Sequence, residues 1–322
     1  MNILITGAGG FLGAHLLKSL ASSKVSVLDR THKKFDSSIA YFPGVIDCNS
    51  NYSKALENNS VIIHCAARVH IMEDESNNPL DEYREVNTAG TLNLARQAIE
   101  SGVKRFIFIS SIKVNGEGTE LGKPFKSTDP RLPNDFYGKS KSEAEVQLLD
   151  LADKTGLEVV IIRPTLIYGP GVKANFASLL NIVSKGLPLP FGCINNNRRS
   201  LVSVTNLVDL IIVCIEHPNA VNQVLLVSDD NDVSTASMVK QISRALGKPC
   251  RLIPVPLWCF SVIGKLTGKQ DIVNRLLGSL QVDISYTKQL LDWIPPQTIE
   301  QGFKETAEAF FKIKEKKNDT FD

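Results

Sequence analysis

Glycines close to the N-terminus constrain the fold of this chain more than any other feature. The apolar run 2–6 has the length and composition of a strand, and it leads directly into Gly7-Ala8-Gly9-Gly10-Phe11-Leu12-Gly13. Glycines at positions 7, 10 and 13 let the backbone turn tightly and approach a pyrophosphate, while the helix that opens here offers free N–H groups. The motif therefore predicts a strand, a turn and a helix that together bind a dinucleotide.

A carboxylate at the end of the next strand pattern, residues 24–28, supports this interpretation. Asp29 lies 22 residues after Gly7, where a carboxylate accepts hydrogen bonds from the ribose hydroxyls of adenosine. Because this charge disfavours a 2′-phosphate, we expect NAD as the cofactor. Arg30 would pair with that phosphate or stack on adenine, which keeps NADP as the alternative.

Short apolar runs alternate with helical patterns along the first half of the chain. The runs at 61–65, 105–110 and 158–162 are continuous rather than alternating, which is typical of strands buried on both faces of a parallel sheet. Loops rich in proline and glycine follow from about Tyr168, and regular patterns resume at 200–204, 206–214 and 223–227. We predict an α/β chain with a Rossmann-type doubly wound parallel sheet in residues 1–170 and about 200–231. A smaller α+β substrate-binding domain would comprise about 171–199 and 232–322.

Composition excludes several classes of protein. Among 322 residues, 36 Lys and Arg balance 34 Asp and Glu, so a basic nucleic-acid-binding face is not expected. Six scattered cysteines without a CxxC pair indicate free thiols in a reducing compartment, which favours a cytoplasmic location. The histidines show no metal-ligand spacing, and the N-terminal run lacks the basic region of a signal peptide, so we expect neither metal nor secretion.

Residues 252–264 form the most apolar later stretch. They are fewer than the roughly 20 residues that a membrane-spanning helix needs. Lys265 and Lys269 beside them are compatible with contact to a membrane surface. Because the stretch carries two prolines and no charged stripe, we instead expect it in the core of the second domain.

A tyrosine and a lysine at helical spacing point to catalysis. Tyr137 is the only one of six tyrosines that has a lysine, Lys141, four residues later. On a helix the two share a face, and an ammonium beside a phenol lowers the phenol pKa from about 10 toward neutrality. Ser111, just after the run 105–110, would hold a substrate oxygen or share its proton. Ser111, Tyr137 and Lys141 are the predicted catalytic residues.

In this combination the residues resemble the extended short-chain dehydrogenase/reductases, in particular their NDP-sugar epimerase/dehydratase branch. The resemblance covers essentially the whole chain: Thr6 to Gly13 is similar to the TGxxGxxG motif, and Ser111, Tyr137 and Lys141 match the catalytic triad. It implies that Tyr137 and Lys141 also touch the cofactor. The further cofactor contacts that it implies are Asp47, Cys65, Ala66, Ala67, Asn87 and Pro164.

The resemblance also implies a site for a sugar nucleotide in the second half of the chain. Asn175-Phe176 resembles the segment that contacts the diphosphate, and Leu189-Pro190-Phe191-Gly192 resembles the nucleobase-binding segment. Arg199 fits the arginine that grips the diphosphate, and Arg275 is a weaker candidate for a second phosphate contact. For each arginine a surface ion pair is the alternative.

Departures from the family pattern narrow the reaction. Where 4,6-dehydratases usually carry an Asp-Glu pair this chain has Ile112-Lys113, and where UDP-galactose 4-epimerases commonly carry an asparagine it has Leu166. The resemblance implies NAD-dependent hydride transfer at C4 of a UDP-sugar, and we expect an N-acetylhexosamine nucleotide and a 4-epimerase of surface-polysaccharide synthesis. A 4-ketoreductase of a UDP-4-keto-6-deoxy-N-acetylhexosamine is the alternative, and a non-catalytic dinucleotide-binding sensor is a third.

Finally, the resemblance implies a homodimer formed by the helices predicted at 81–100 and 137–151. A stripe that faces the protein's own core would look similar in sequence. The apolar residues compatible with either arrangement are Leu92, Leu94, Ala98, Val146, Leu148 and Leu149.

Overall fold

A computed structural model describes residues 1–21, 23–30, 35–37, 39–69 and 78–318, with side chains for all of these except 174, 175 and 316–318. Its strands are β1 (Asn2–Thr6), β2 (Lys24–Asp29), β3 (Ala40–Pro43), β4 (Val61–His64), β5 (Arg105–Ile109), β6 (Glu158–Pro164), β7 (Leu166–Tyr168), β8 (Leu201–Ser203) and β9 (Gln223–Val227). Its α-helices are α1 (Phe11–Ser19), α2 (Ser53–Leu56), α3 (Pro79–Arg84), α4 (Thr91–Glu100), α5 (Phe136–Thr155), α6 (Ala174–Ser184), α7 (Val204–Glu216), α8 (Thr235–Ala245), α9 (Leu257–Leu266), α10 (Gln270–Leu277), α11 (Ser285–Leu291) and α12 (Ile299–Asn318).

Seven parallel strands form the main sheet in the order β3-β2-β1-β4-β5-β6-β9. This confirms the predicted doubly wound α/β fold. The chain leaves β1 toward one edge of the sheet and returns to β4 to build the other half. Between β1 and β4 the winding reverses, and a crevice opens there at the carboxyl ends of the strands, the usual ligand site of such sheets.

Each central strand contributes side chains to two separate cores, as a continuous apolar run requires. Ile3 and Ile5 of β1 pack with Leu16 of α1 and Leu207 of α7 on one face. Leu4 packs on the other face with apolar residues of α4 and α5. Helices therefore cover both faces of the sheet.

The second core contains most of the helix residues that were considered for a homodimer interface. Leu92, Leu94, Ala98 and Leu148 are buried against the sheet, as a core-facing stripe requires. Val146 is the exception, with 51% of its surface exposed. These residues thus give the dimer little support, and the homodimer stays a prediction.

A third core lies apart from the sheet. It combines Tyr168 at the end of β7 with residues of α6, α8 and α12, including Phe176 and Phe303. The run at 200–204, predicted as a strand, is β8, which pairs with β7 in a small parallel sheet of its own. The division into two domains at the predicted boundaries stays a prediction.

The apolar stretch 252–264 differs from its predicted place in a core. Only Phe260 and Gly264 of α9 are buried, whereas Trp258 is 68% exposed and Leu266 is 82% exposed. The prediction was wrong because composition cannot tell which face of a helix another element covers. No helix in the described part of the chain has the length and apolarity that crossing a membrane requires. All six cysteines carry free thiols.

Candidate active site

The glycine turn after β1 is packed so closely that side chains cannot replace its hydrogens. Gly7 has a φ of +70°, and a Cβ added to it would lie 2.7 Å from the backbone nitrogen of Ala66. A Cβ on Gly13 would lie 2.4 Å from the carbonyl oxygen of Gly7. Both contacts are far inside van der Waals distance, so the turn and the crevice exist in this form only with glycine at these positions.

The turn fits a dinucleotide in two respects. Gly10 is the N-cap of α1 and no side chain caps this helix, so the helix N-terminus offers backbone donors to a pyrophosphate. Asp29, buried at the end of β2, accepts a hydrogen bond from the Gly9 N–H at 2.7 Å, which places its carboxylate at the turn. The Leu12 side chain packs in the core, so only its backbone can face a cofactor, while Arg30 is exposed.

A chain of hydrogen bonds fixes the floor of the crevice between β1 and β4. The Thr91 hydroxyl donates to the carbonyl of Asn87 at 2.8 Å, so the 3.0 Å bond between Thr91 and His64 must be donated by His64 Nε2. His64 Nδ1 then accepts from the Thr6 hydroxyl at 2.7 Å, and Thr6 Oγ1 accepts from the Ala66 N–H at 3.2 Å. Burial, with a smaller effect of Lys141, lowers the pKa of His64 to about 3, and the imidazole is neutral.

Lys141 is buried on α5, one helical turn after Tyr137. Its ammonium donates to the carbonyl of Ile109, the last residue of β5, at 2.8 Å and lies 4.3 Å from the centre of the Phe108 ring. Burial lowers the pKa of Lys141 to about 7, although Cys65 and Glu145 work in the opposite direction. Lys141 therefore joins α5 to the carboxyl end of the central strand β5.

Tyr137 begins the same helix and is half-buried, with its ring edge-on to Tyr83 at 6.4 Å between centres. Burial raises the pKa of Tyr137, and Asp135 and Tyr83 add to this. The structure thus corrects the expectation that a neighbouring ammonium lowers the pKa of this phenol. The charges and burial described around Tyr137 keep it protonated.

Ser111 begins a short turn that packs against the start of α5, where a Cβ on Gly138 would lie 2.8 Å from the Lys113 carbonyl oxygen. It caps a short 3-10 turn, Ile112–Val114, by accepting the Lys113 N–H at 3.3 Å. Lys113 in turn forms an ion pair with Asp135, the N-cap residue of α5. The structure therefore brings the three predicted catalytic residues to one edge of the sheet, from β5 and α5.

A buried charge cluster beneath these residues escaped the sequence analysis. Arg163 donates to both carboxylate oxygens of Glu145, at 2.8 and 2.5 Å, and to Asn115 at 2.9 Å. Glu145 also accepts from Ser110 at 2.6 Å and from Arg131 at 3.2 Å. Because Glu145 lies on α5 and Arg163 on β6, the cluster holds the catalytic helix against the sheet. The one sequence signal is that Glu145 follows Lys141 by four residues, on the same helical face.

Asn87 connects the crevice to α5. It lies in a π-helical turn, Glu85–Gly90, where its side-chain oxygen accepts the Arg68 N–H at 2.8 Å and its amide donates to Ser140 Oγ at 3.0 Å. Ser140 Oγ donates to the carbonyl of Tyr137 at 2.8 Å. Asn87 thus has protein partners on both sides of its amide and positions the helix that carries Tyr137.

The remaining predicted cofactor contacts lie at strand ends. Pro164 ends β6, and the half-buried Cys65-Ala66-Ala67 follows β4. Asp47 accepts the backbone N–H groups of Asn49 and Ser50 at 2.9 and 2.6 Å, which stabilises its own turn.

The predicted substrate residues differ in how accessible their side chains are. Phe176 is 3% exposed and stacks on Tyr168, so its side chain is a core residue rather than the predicted substrate contact. The Asn175 side chain lies outside the side chains that the structure describes. Pro190 is exposed, and Phe191 is half-buried and stacks on Phe260 at 6.4 Å.

The two predicted phosphate-binding arginines are neighbours. Arg199 donates to the carbonyl of Arg275 at 2.8 Å, and burial together with the Arg275 charge lowers the pKa of Arg199. The Arg275 guanidinium lies 3.9 Å from Glu117. Two cations held this close repel each other, so the arrangement favours an anion between or beside them.

The chain is similar to known proteins over nearly its whole length. The model of the NAD-dependent epimerase/dehydratase family matches residues 3–227. The chain is 58% identical over 316 residues to a UDP-glucose 4-epimerase of Vibrio cholerae, covering 97% of this chain and 96% of that protein. It is 30% identical over 336 residues to an N-acetyl-α-D-glucosaminyl-diphospho-ditrans,octacis-undecaprenol 4-epimerase of Escherichia coli O157:H7, covering 99% and 98%. The crystal structure of a UDP-glucuronic acid 4-epimerase from Bacillus cereus in complex with NAD shares the fold, with a TM-score of 0.78 at 20% identity and 98% of each chain covered.

Proposed function

The chain belongs to the NAD-dependent epimerase/dehydratase family, and we propose that it is the enzyme that inverts C4 of a UDP-sugar. NAD is the cofactor, as the carboxylate at Asp29 predicted.

One observation carries the proposal: Lys141, one helical turn after Tyr137, and Ser111 lie at the carboxyl end of β5, and the glycine turn follows the carboxyl end of β1 in the same parallel sheet. Lys141 is tied to the end of β5 by its bond to Ile109, and Ser111 follows that strand by two residues. Of the two strands that border the crevice, β4 pairs directly with β5 and β1 is the next strand along. A sugar held between Ser111 and the crevice would thus present one carbon to both the cofactor and the phenol.

Each residue has a role that follows from its surroundings. NAD, when bound, supplies reversible hydride exchange with C4 of the sugar. Tyr137 takes the proton of the C4 hydroxyl as that carbon is oxidised and returns it when the carbon is reduced from the other side. Its raised pKa suits the return step, and the positive charge of the oxidised cofactor, when bound, would favour the phenolate in the first step. Ser111 holds the C4 oxygen.

Dehydration is not part of the proposal. The positions after Ser111 at which a dehydratase would need acid and base are occupied by buried Ile112 and by Lys113. Lys113 is paired with Asp135 and lies 3.4 Å from Glu117, so it is engaged in holding the start of α5. Neither side chain can shuttle protons at C5 and C6 of a sugar in this arrangement.

For the sugar itself we propose UDP-glucose, on the strength of the 58% identical relative, with UDP-N-acetylglucosamine as the second substrate to test. Arg199 and Arg275 would hold the diphosphate common to both. A role in surface-polysaccharide synthesis, a homodimer and a cytoplasmic location remain parts of the proposal that rest on the family resemblance.

The test is to incubate the purified protein with each UDP-sugar, without added reductant, and to follow the sugar nucleotide by NMR. We expect the galacto epimer to appear, because NAD is regenerated in each cycle. If neither substrate changes, but a UDP-4-keto-6-deoxy-N-acetylhexosamine is reduced with consumption of NADH, the protein is the alternative 4-ketoreductase. Cofactor binding without any turnover would contradict both and leave the sensor.

A second candidate substrate is a sugar diphosphate carried on a polyprenol, as in the name of the Escherichia coli relative. The observation that favours it is the exposed apolar face of α9, which neighbours Phe191 through Phe260. The same NMR assay with a short-chain polyprenyl diphosphate sugar distinguishes it. Epimerisation of the lipid-linked sugar alone would replace the UDP-sugar in the proposal.

A further inference from the structure

Helix α9 has two faces with opposite surroundings. Phe260 and Gly264 lie against Val273 of the neighbouring helix α10. Trp258, Val262 and Leu266 lie at i, i+4 and i+8, about 180° around the helix from that pair. All three are exposed, and Leu266, at 82%, is among the most exposed apolar side chains of the described chain. A single stripe of aromatic and aliphatic side chains thus faces outward along the whole helix.

Neighbouring segments carry further exposed apolar side chains. Residues 187–190 run beside 251–253 through backbone bonds between Leu189 and Arg251 and between Ile253 and Leu189, both 2.8 Å. Leu187 and Ile253 are each about half exposed there. Ile272 of α10 adds a further exposed side chain next to α9. Exposed apolar side chains gathered in this part of the molecule mark an interaction site rather than ordinary surface.

The chain segment that carries α9 is rich in basic residues, and the exposed Asp271 follows it directly at the start of α10. From 233 to 270 the chain carries six basic residues and no acidic one, while the rest of the chain carries 36 − 6 = 30 basic against 34 acidic. All six side chains are exposed, and in the part of the chain that the structure describes none of them forms an ion pair. The six are Lys240, Arg244, Lys248, Arg251, Lys265 and Lys269.

We propose that α9 and its flanking segments dock this protein on the surface of an anionic phospholipid bilayer. A helix with a Trp- and Leu-containing apolar stripe flanked by lysines lies in the plane of such a surface, with its apolar side chains among the acyl chains. The basic residues of this segment meet the lipid phosphates. With ten residues α9 cannot span the bilayer, so the attachment is peripheral.

Docking in this orientation would bring the membrane close to the proposed substrate site. Phe260, on the inner side of α9, stacks on Phe191 of the predicted nucleobase segment. Arg275 lies on α10, which packs against α9. The proposed diphosphate site would therefore lie within one helix of the bilayer surface, whichever sugar carrier the enzyme uses.

Vesicle binding tests the proposal with the full chain and needs no turnover, so its outcome is separate from that of the proposed reaction. We expect co-sedimentation with vesicles of phosphatidylcholine mixed with phosphatidylglycerol, weakened by added salt, and little with phosphatidylcholine alone. Trp258 and Trp293 are the only tryptophans, and Trp293 is buried with its indole bonded to Asp209. Brominated lipids should therefore quench Trp258 fluorescence and spare Trp293.

Three variants sharpen the result. Trp258→Ser with Leu266→Ser should lower vesicle affinity about tenfold or more for each side chain. Lys265→Ser with Lys269→Ser should lower it about fivefold for each lysine, and only on the anionic vesicles. Ile294→Ser removes an equally exposed apolar side chain elsewhere and should change nothing.

The proposal is overturned if anionic vesicles do not bind, or if Trp258→Ser with Leu266→Ser binds them as the parent does. It is also overturned if light scattering shows a dimer that this double variant dissociates while vesicle binding is absent. In that case a second copy of the chain covers the face. Circular dichroism and thermal unfolding of each variant check that the fold is intact.

Discussion

The crevice between β1 and β4 and the outer face of α9 differ in what surrounds their side chains. At the crevice, His64 bonds Thr6 and Thr91 through its two ring nitrogens, and an added Cβ on Gly7 would collide with Ala66. On α9, Trp258 and Leu266 face solvent. The first region tolerates one geometry because its neighbours are packed and bonded, whereas the second is held only by its inner face. The outer face therefore needs an explanation other than stability.

The largest effect should follow from removing the phenol at the edge of the crevice. Tyr137→Phe deletes the proton acceptor and donor, so we expect turnover to fall by about 10²–10⁴. Folding should change little, because the rest of the ring remains. NMR-monitored epimerisation and thermal unfolding measure the two quantities on the same samples.

Tyr286→Phe is the matched control, since it removes an exposed hydroxyl bonded to Gln223, on the outside of the molecule. Turnover of this control should equal that of the parent. If Tyr137→Phe retained near-parental turnover, the phenol would not be the acid/base and the proposed mechanism would be wrong.

The next largest effect should be on the free energy of unfolding, at the buried charge cluster of Glu145 and Arg163. Arg163→Met leaves the fully buried Glu145 carboxylate with Arg131 and Ser110 as its remaining partners. Breaking a buried pair costs about 3–5 kcal/mol in the free energy of unfolding. Urea denaturation of the parent and variant measures the loss.

A double variant distinguishes the lost pair from the lost volume. Glu145→Met with Arg163→Met removes both charges and should recover part of that free energy, because no carboxylate stays buried without its Arg163 partner. Equal instability of the single and double variants would show that shape, rather than charge, holds α5 against β6.

The titration of His64 should make the stability of the protein depend on pH. Its pKa is lowered from 6.5 to about 3, so the unfolded chain binds a proton below pH 6.5 that the folded chain refuses until about pH 3. Above pH 6.5 the titration of His64 therefore leaves the free energy of unfolding unchanged. As the pH falls through this window the free energy of unfolding decreases, by about 2 kcal/mol at pH 5. His64→Gln keeps a donor and an acceptor but does not titrate. Its urea midpoint should therefore depend less on pH than that of the parent, and parallel pH profiles would contradict the assignment.

Local signals in the sequence predicted the crevice well. The glycine turn, β1 and β9 lie where their patterns placed them, because each depends on residues adjacent in the chain. The short strands β3 and β7 were not recognised, since four or three residues carry too little pattern. These two strands form only because they pair with β2 and β8, respectively.

Contacts between distant segments could not be predicted in this way. Glu145 and Arg163 are 18 residues apart and meet only because α5 packs on β6. The same limit applies to α9, whose apolar composition suits either a core or a surface until its neighbours are known. Phe176 shows the reverse case, since a residue matched to a substrate segment is in fact packed on Tyr168.

A smaller effect tests how tightly the glycine turn is packed. A Cβ at Gly13 meets the Gly7 carbonyl at 2.4 Å, whereas one at Gly10 meets it at 3.1 Å. Gly13→Ala should therefore cost about 1–3 kcal/mol of stability and weaken NAD binding, with Gly10→Ala milder in both. Thermal unfolding with and without NAD compares them, and the reverse order would show that the turn relaxes.

The smallest effect, and the sharpest contrast within one element, concerns the two faces of α9. Val262→Ser on the outer face should change the free energy of unfolding by no more than about 0.5 kcal/mol, as usual for exposed positions. Phe260→Ala on the inner face removes a ring packed against Phe191 and Val273 and should cost about 3–5 kcal/mol if the site cannot collapse. Both free energies come from urea denaturation in the absence of lipid. A large loss in the free energy of unfolding of Val262→Ser would mean that the outer stripe stabilises the fold itself. The apolar side chains of the stripe would then have a structural role that needs no membrane.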